Sequence, residues 1–252
     1  MIKVEDLLEE MIKTENIEDW IKEVKNYKAT GILKDAKYLK WKKMTFSDFD
    51  GTICKGNAAL ELSIAVGRGK EAKEIYFNLN SQSKKIVNET SNYFQLMRKL
   101  DKLYEEQLKR GAKLLEGVPV KKTLEISYQP NCKLSKMVEI AKEEGELEIA
   151  TLTDKIFVEN FIEKNKEKLP NCRIVSFSEL EKSNGKFTGK ILKYSGVEDK
   201  YKAYENGSVF ANSIVDIGAC IKAFERNYNV YILNDNHENI LLVDALKKFN
   251  YL

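Results

Sequence analysis

The sequence MTFSDFDGT, residues 44–52, combines a short strand pattern with a turn pattern. Its first residues form a short, mostly apolar run that predicts a buried β-strand, and its Asp-Gly pair is typical of a tight turn. Two carboxylates, Asp48 and Asp50, therefore stand where the predicted strand ends. This stretch is a candidate both for the first strand of a sheet and for the centre of a site.

Predicted strands and helices alternate in the second half of the chain. Strands are predicted at residues 147–151, 173–177, 209–211 and 230–233, helices near 133–144, 155–167, 200, 216–224 and 237–249, and a hairpin around Ser183-Asn184-Gly185. Strands separated by helices of this length form a mostly parallel sheet covered on both faces. We therefore predict an α/β fold with a Rossmann-like parallel sheet core, in which ligands collect beyond the carboxyl ends of the strands.

Two helical regions accompany this core. The opening segment carries two amphipathic helical patterns, and residues 57–126 show helical periodicity with no convincing strand, including a stripe of Tyr93, Leu96, Leu100 and Leu103. The predicted organisation is an N-terminal helical extension at 1–40, a core formed by 41–56 and 127–252, and a helical insert at 57–126.

Composition excludes several classes of protein. The chain has 252 residues, 43% of them hydrophobic, which suffices for one substantial core with an accessory module. Lys and Arg number 42 against 39 Asp and Glu, mixed along the chain, so no nucleic-acid partner is expected. There is no apolar run of about 20 residues, and the acidic start MIKVEDLLEE does not resemble a secretion signal, so we expect a cytoplasmic protein with no membrane partner. Four scattered cysteines and a single histidine indicate neither a zinc site nor a disulfide framework.

A carboxylate pair at a strand end can carry out covalent and acid–base chemistry. One aspartate can attack phosphorus to form an aspartyl-phosphate, while the other protonates the leaving alcohol and later activates water. Two anions that face an anionic phosphate also need a cation, and Mg²⁺ is the natural choice because it prefers oxygen ligands. The alternative is that Asp48 and Asp50 only hydrogen-bond a tight turn.

The stretch Asp48-Phe49-Asp50-Gly51-Thr52 resembles the first signature of the haloacid dehalogenase superfamily, and the later signatures follow in order across about residues 42–252. The resemblance implies a magnesium-dependent phosphatase with Asp48 as nucleophile, Asp50 as acid and base, Thr52 at the phosphate, and the helical insert as a mobile cap. Thr151, in Thr151-Leu152-Thr153-Asp154, resembles the second signature, whose hydroxyl residue binds a phosphate oxygen. A helix N-cap role for Thr151 or Thr153 is the alternative.

The third and fourth signatures fall in the last quarter of the chain. By its position before Ala203-Tyr204, Lys202 corresponds to the lysine that holds the phosphate and the nucleophile, with Lys200 as the close alternative. Asp216 corresponds to the second acid of the fourth signature, but Asn212 stands where the first acid, usually a metal ligand, is expected. An amide oxygen can ligate a hard cation but brings no negative charge. The predicted metal residues are Asp48, Asp50, Asn212 and Asp216.

Within the family, residues 104–108 and 115–119 resemble phosphoserine phosphatases in particular. Their substrate-binding glutamate and cap arginine have only Asn57 and the offset Arg110 as counterparts, so serine specificity is not expected. Asp50 and Thr52 favour phosphoryl chemistry over dehalogenation, because a leaving alcohol needs a proton and a halide does not.

Two functional hypotheses follow. The first is a hydrolase that acts on a small phosphorylated metabolite. The second, motivated by Asn212 and by the long segment ahead of the first strand, is a weakly active or non-catalytic protein that binds a phosphorylated ligand or regulates a partner. The sequence leaves the oligomeric state open, with a homodimer as one option.

Overall fold

The computed structural model describes residues 44–169, 172–233 and 238–252, so the helical extension predicted for residues 1–40 lies outside the described residues. The strands in this part of the chain are β1 Met44–Ser47, β2 Glu146–Asp154, β3 Cys172–Ser183, β4 Lys186–Lys193, β5 Val209–Ala211 and β6 Val230–Ile232. They form one sheet in the order β4-β3-β2-β1-β5-β6. All neighbouring strands are parallel except β3 and β4. The predicted α/β fold with a mostly parallel sheet is confirmed.

Strand β1 lies in the middle of the sheet, and all four of its residues are buried. It pairs with β2 on one side and with β5 on the other. The Phe46 amide donates to the Ser208 carbonyl at 2.8 Å, and the Asp48 amide donates to the Phe210 carbonyl at 3.2 Å. A strand enclosed in this way is expected to be an apolar run. Its carboxyl end brings Asp48 to the middle of the sheet edge where ligands bind in such folds.

Strands β3 and β4 form the predicted hairpin. The turn residues Asn184 and Gly185 have φ values of 50° and 71°, the left-handed conformation that a tight two-residue hairpin requires. Strand β3 continues beyond the predicted 173–177 to Ser183. Residues 179–183 are too polar to be recognised as a strand from sequence. They extend β3 because antiparallel pairing with β4 supplies hydrogen-bond partners for their backbone.

The helices of the described residues are α1 Ala58–Ala65, α2 Gly69–Glu89, α3 Tyr93–Leu114, α4 Leu134–Glu144, α5 Lys155–Lys164, α6 Val197–Ala203, α7 Ile217–Glu225 and α8 Glu238–Lys248, with 3₁₀ turns at Val120–Glu125 and Ile214–Asp216. The helices predicted in the second half of the chain occur within a few residues of their expected ends. None of these helices is long and apolar enough to cross a membrane.

Residues 57–126 are helical, as predicted, and contribute no strand to the sheet. Their last part is hydrogen-bonded to the β3–β4 hairpin: the Gly117 amide donates to the Phe187 carbonyl, and the Val120 amide to the Gly185 carbonyl, both at 2.8 Å. The described residues group into one compact unit. The division into a core of 41–56 and 127–252 and a cap of 57–126 stays a prediction.

The apolar core lies on both faces of the sheet. Strand β5 shows the alternation expected of a pleated strand: Phe210 packs in one cluster with Phe157 of α5, whereas Val209 and Ala211 pack in the other with Ile217 of α7. Burial on both faces therefore fixes the short inner strands in place. The residues that directly follow these strands are fixed with them.

A close approach between Gly207 and β1 generates a test of this arrangement. Gly207 has a φ of +94°, and a Cβ added there would lie 1.5 Å from the Met44 carbonyl oxygen. We expect Gly207→Ala to lower the free energy of unfolding by more than ~3 kcal/mol, since backbone cannot easily move aside. Gly117→Ala is the matched control: Gly117 has a φ of +77° with nothing within 4 Å of the added atom. Gly117→Ala should lower the free energy of unfolding by only ~1–2 kcal/mol, the strain of a left-handed alanine. Urea unfolding measures both values, and equal losses would contradict the proposed constraint.

Candidate active site

A buried ion-pair network joins β1, α6 and the loop after β5. The Lys200 side chain of α6 is 1% exposed, and its Nζ lies 2.5 Å from Asp48 Oδ1 and 2.9 Å from Asp216 Oδ1. The other oxygen of Asp216 accepts the backbone amides of Asn212 and Ser213, at 3.2 and 3.3 Å. The network therefore brings residues that follow the neighbouring strands β1 and β5 to one ammonium group.

The prediction that Lys202 lies beside Asp48 is wrong, because Lys200, the alternative drawn from the sequence, occupies that place. The Lys202 side chain is 68% exposed, and its Nζ lies 3.9 Å from Glu198 and 4.0 Å from Asp199. Two residues along an α-helix are rotated by about 200°. Only one of the two lysines on α6 can therefore face the carboxyl ends of the strands.

The second carboxylate of the first signature is held by the start of the helical insert. Asp50 Oδ1 accepts the Ala58 amide at 2.9 Å, and the Asp50 side chain also hydrogen-bonds Thr153. Thr151 Oγ1 accepts the Thr153 amide at 3.1 Å. Asp154, which accepts the Ile156 amide at 2.9 Å, is the N-cap of α5. Neither threonine caps that helix, so the N-cap alternative for Thr151 and Thr153 is excluded.

These side chains line a common cavity of about 720 Å³. Asp48, Asp50, Thr151 and Lys200 all contribute to its wall. Thr52, predicted to bind phosphate, is fully buried and is not among the wall residues, and its hydroxyl has no hydrogen-bond partner among the described residues. The structure therefore brings together two predicted carboxylates and one predicted hydroxyl with Lys200, but it does not bring Thr52 to the cavity surface.

Burial and neighbouring charges shift the pKa values of the residues in this network. Burial raises the pKa of Asp48 to about 8, with the charge of Asp216 adding to the shift and Lys200 opposing it. Burial also raises the pKa of Asp50 to about 6, while the Ala58 amide and Lys200 lower it. For Lys200, burial acts to lower the pKa, but Asp216 and Asp48 outweigh it and raise the pKa above its ordinary value. Three carboxyl groups thus share one ammonium, and the site is short of positive charge.

Asn212 lies beside this cluster, because its backbone amide donates to Asp216 at 3.2 Å, but it is not among the cavity-wall residues. Asn212 is 1% exposed, and neither its Oδ1 nor its Nδ2 has a hydrogen-bond partner in the described part of the chain. A buried amide without partners is costly, which fits a group that meets a ligand. The carboxylates of Asp48 and Asp50 and the amide oxygen of Asn212 are donors that Mg²⁺ accepts.

Asp216, predicted as a metal ligand, contacts protein groups with both of its side-chain oxygens. One oxygen accepts from Lys200, and the other accepts two backbone amides. These contacts orient Lys200 and the loop after β5, and the role of Asp216 as a metal ligand stays a prediction. Across residues 44–169, 172–233 and 238–252, no group of three or more His, Cys, Asp or Glu side chains is arranged to hold a metal ion.

Most of the cavity wall lies on helices whose sequence patterns did not predict a site. One face of α2, one face of α3 and the start of α8 contribute to it. On α2 the wall residues are Ala72, Ile75, Tyr76 and Leu79, which follow helical spacing. This spacing was the only sequence pattern that could have indicated the wall on this helix. That signal could not separate a cavity wall from ordinary packing, because both use one apolar helix face.

Comparisons with known proteins establish the fold. No protein-family model matches this chain, and no curated protein matches it in sequence. Among solved structures, it is similar to a phospho-aspartyl intermediate analogue of phosphoserine phosphatase, with 16% identity, a TM-score of 0.55, and coverage of 83% of this chain and 99% of that one. A substrate-bound phosphoserine phosphatase complex gives 16% identity, a TM-score of 0.54 and coverage of 83% and 99%. A HAD family hydrolase from Salmonella enterica subsp. enterica serovar Typhi gives 15% identity, a TM-score of 0.53 and coverage of 71% and 60%. The fold of this chain is therefore similar to that of phosphoserine phosphatases and of a HAD family hydrolase, as predicted.

Removal of the buried ammonium tests the network. We expect Lys200→Met to lower the free energy of unfolding by ~3–5 kcal/mol, because Asp48 and Asp216 would remain buried without their cation. Lys202→Met, the matched substitution on the same helix, should change it by no more than ~0.5 kcal/mol, since its ion pairs are exposed. Denaturant titration at neutral pH without added metal measures both. A small effect at Lys200 would show that the network contributes little to folding.

Proposed function

We propose that this protein is an enzyme that hydrolyses a small phosphomonoester, with Mg²⁺ as cofactor and an aspartyl-phosphate on Asp48 as intermediate. The observation that carries the proposal is the placement of Asp48 in the cavity wall with the Lys200 ammonium 2.5 Å from its carboxylate. Similarity to phosphoserine phosphatases in fold supports it. The substrate in this proposal is a small phosphorylated metabolite of the cytoplasm.

The chain's own residues divide the reaction into two displacements. In the first, a carboxylate oxygen of Asp48, whose ionised form the Lys200 ammonium favours, bonds to phosphorus while the bond to the alcohol oxygen breaks, and Asp50 gives that oxygen its proton. In the second, Asp50 takes a proton from water, the water oxygen bonds to phosphorus, and the bond to Asp48 breaks. Inorganic phosphate leaves, and both carboxylates return to their starting forms. A pKa of about 6 for Asp50 suits a group that both gives and takes a proton near neutral pH.

Two side chains support the phosphoryl group in this scheme. Lys200 offsets negative charge beside Asp48, and the hydroxyl of Thr151 can donate to a phosphate oxygen while its own oxygen accepts the Thr153 amide. Both side chains lie in the cavity wall and are buried, so they act where water screens charge weakly. The phosphate therefore meets preorganised donors.

Asp48 and Asn212 are the residues that would hold Mg²⁺ with side-chain oxygens, whereas the Asp50 carboxyl, also predicted as a ligand, would stay free of the ion because it carries the proton for the leaving alcohol. When bound, the ion would offset the charge deficit of the site and neutralise charge on the phosphoryl oxygens. Asn212 contributes a neutral oxygen where an acid would contribute a charged one, so we expect weaker metal binding than a carboxylate would give.

Hydrolysis of p-nitrophenyl phosphate tests the proposed activity. We expect wild-type turnover that needs Mg²⁺ and falls at least ~10³-fold in Asp48→Asn, because an amide cannot form the acyl phosphate. Glu139→Gln is the matched control, since Glu139 is an exposed carboxylate paired with Lys136 on α4. Its turnover should equal that of the wild type. Equal turnover in wild type and Asp48→Asn would contradict the assignment of the nucleophile.

The second candidate function is that of a phospholigand-binding or regulatory protein with little or no turnover. The observation that favours it is the neutral Asn212 at a place where the family signature has an acid. Robust wild-type turnover would exclude this candidate.

Asn212→Asp distinguishes the two candidates. We expect the added charge to tighten Mg²⁺ binding by at least ~10-fold in isothermal titration calorimetry, because carboxylates bind hard cations better than amides do. In an enzyme, turnover by the variant should reach its maximum at a lower Mg²⁺ concentration. In a binding protein, turnover should rise strongly from a near-zero baseline. An unchanged Mg²⁺ affinity would show that residue 212 does not contact the ion.

A further inference from the structure

The cavity wall beyond the reacting carboxylates is largely apolar. Helix α2 contributes Ile75, Tyr76 and Leu79, and α3 contributes Leu108 and Gly111. These positions follow the i, i+3, i+4 spacing, so each helix presents one continuous face to the cavity. A stretch of wall this apolar favours a hydrocarbon surface on the ligand.

Charged side chains are scarce in the same wall. Outside the reacting cluster, its only charged members in the described residues are Asp154, Lys84 and Asp244. Asp154 is buried but already accepts the Leu180 amide at 2.6 Å and the Lys182 ammonium at 2.9 Å. Lys84 and Asp244 are exposed. The buried part of the wall therefore offers no spare charge to a substrate away from the phosphate.

The residues that could have recognised an amino acid are engaged elsewhere. Asn57 accepts the Leu60 amide at 2.9 Å as the N-cap of α1. Arg68 donates to the backbone carbonyls of Leu114 and Glu116. Arg110 is exposed, donates to the Gln107 side chain at 3.1 Å, and is absent from the wall. A zwitterionic serine group would thus find no unengaged buried charge in the wall, since Lys84 and Asp244 are exposed, and burying its charges there is unfavourable.

We propose that this cavity selects phosphomonoesters of an uncharged, apolar alcohol, such as an aryl or branched hydrocarbon group, over phosphorylated amino acids. This selectivity rests on the proposed function, which accounts for binding of the phosphate group, and it adds the chemical class of the alcohol that is released. The cavity volume of about 720 Å³ leaves room for a group much larger than serine.

Gly111 gives a way to test this pocket without touching the reacting cluster. It lies in the middle of the cavity face of α3, and a Cβ added there would meet nothing within 4 Å. A large side chain at this position would therefore project into open space, and the helix would tolerate it because glycine is a poor helix former. Gly111→Phe should fill the apolar part of the cavity, and Gly111→Ala is the matched control.

Binding of three phosphonates, measured by calorimetry with Mg²⁺ present, tests the inference independently of turnover. The probes are methylphosphonate, 2-naphthylmethylphosphonate and 2-amino-4-phosphonobutyrate, the last an isostere of phosphoserine. We expect the naphthyl compound to bind the wild type at least ~30-fold more tightly than methylphosphonate, because its ring loses apolar surface to the wall. The amino acid isostere should bind no more tightly than methylphosphonate. In Gly111→Phe the preference for the naphthyl compound over methylphosphonate should fall below ~3-fold, while the Kd of methylphosphonate stays unchanged. Gly111→Ala should keep the wild-type preference.

The outcomes separate this inference from the proposed function. Equal binding of the naphthyl and methyl compounds, tighter binding of the amino acid isostere, or no binding of any phosphonate would overturn it, even if p-nitrophenyl phosphate is hydrolysed. A naphthyl preference that Gly111→Phe abolishes would support it. If the same preference occurs without hydrolysis of any ester, the proposed function fails and the selectivity belongs to a binding protein.

Discussion

The buried ammonium of Lys200 is the interaction on which the arrangement of the site depends. It lies between Asp48, which follows β1, and Asp216, which follows β5, so it joins positions 152 and 16 residues away in the sequence. A buried carboxylate without a cation costs several kcal/mol. Helix α6 must therefore dock against the carboxyl ends of β1 and β5, and the cavity forms where the helices of residues 57–126 lie over this edge of the sheet.

The parts of the fold that could be predicted from sequence are those that local pattern determines. Strand β1 was predictable because its buried apolar residues end at an Asp-Gly turn, and the hairpin because Asn184-Gly185 suits a tight turn. The choice between Lys200 and Lys202 could not be made in this way. Helix α6 spans only Val197–Ala203, and both lysines lie in its charged last turn, so no apolar stripe indicates which side faces the sheet.

The cavity could not be predicted because its wall is assembled from segments far apart in the chain. The stripe of Leu96, Leu100 and Leu103 was visible in α3, and those residues indeed pack in the core. The neighbouring face, with Leu108 and Gly111, meets α2 and α8 across empty space instead. Periodicity reports that a face is apolar, but only the tertiary arrangement decides whether it meets protein or a ligand.

The hydrogen bonds between the end of the helical insert and the β3–β4 hairpin also affect how the protein behaves toward other chains. Strand β4 lies at the edge of the sheet, and an unpaired edge can template strand addition by a second molecule. Here Pro119 bridges Lys186 in antiparallel fashion, and the Phe187 amide donates to the Val118 carbonyl at 3.0 Å. The insert thus shields the start of this edge, so loosening it would expose backbone groups that promote aggregation.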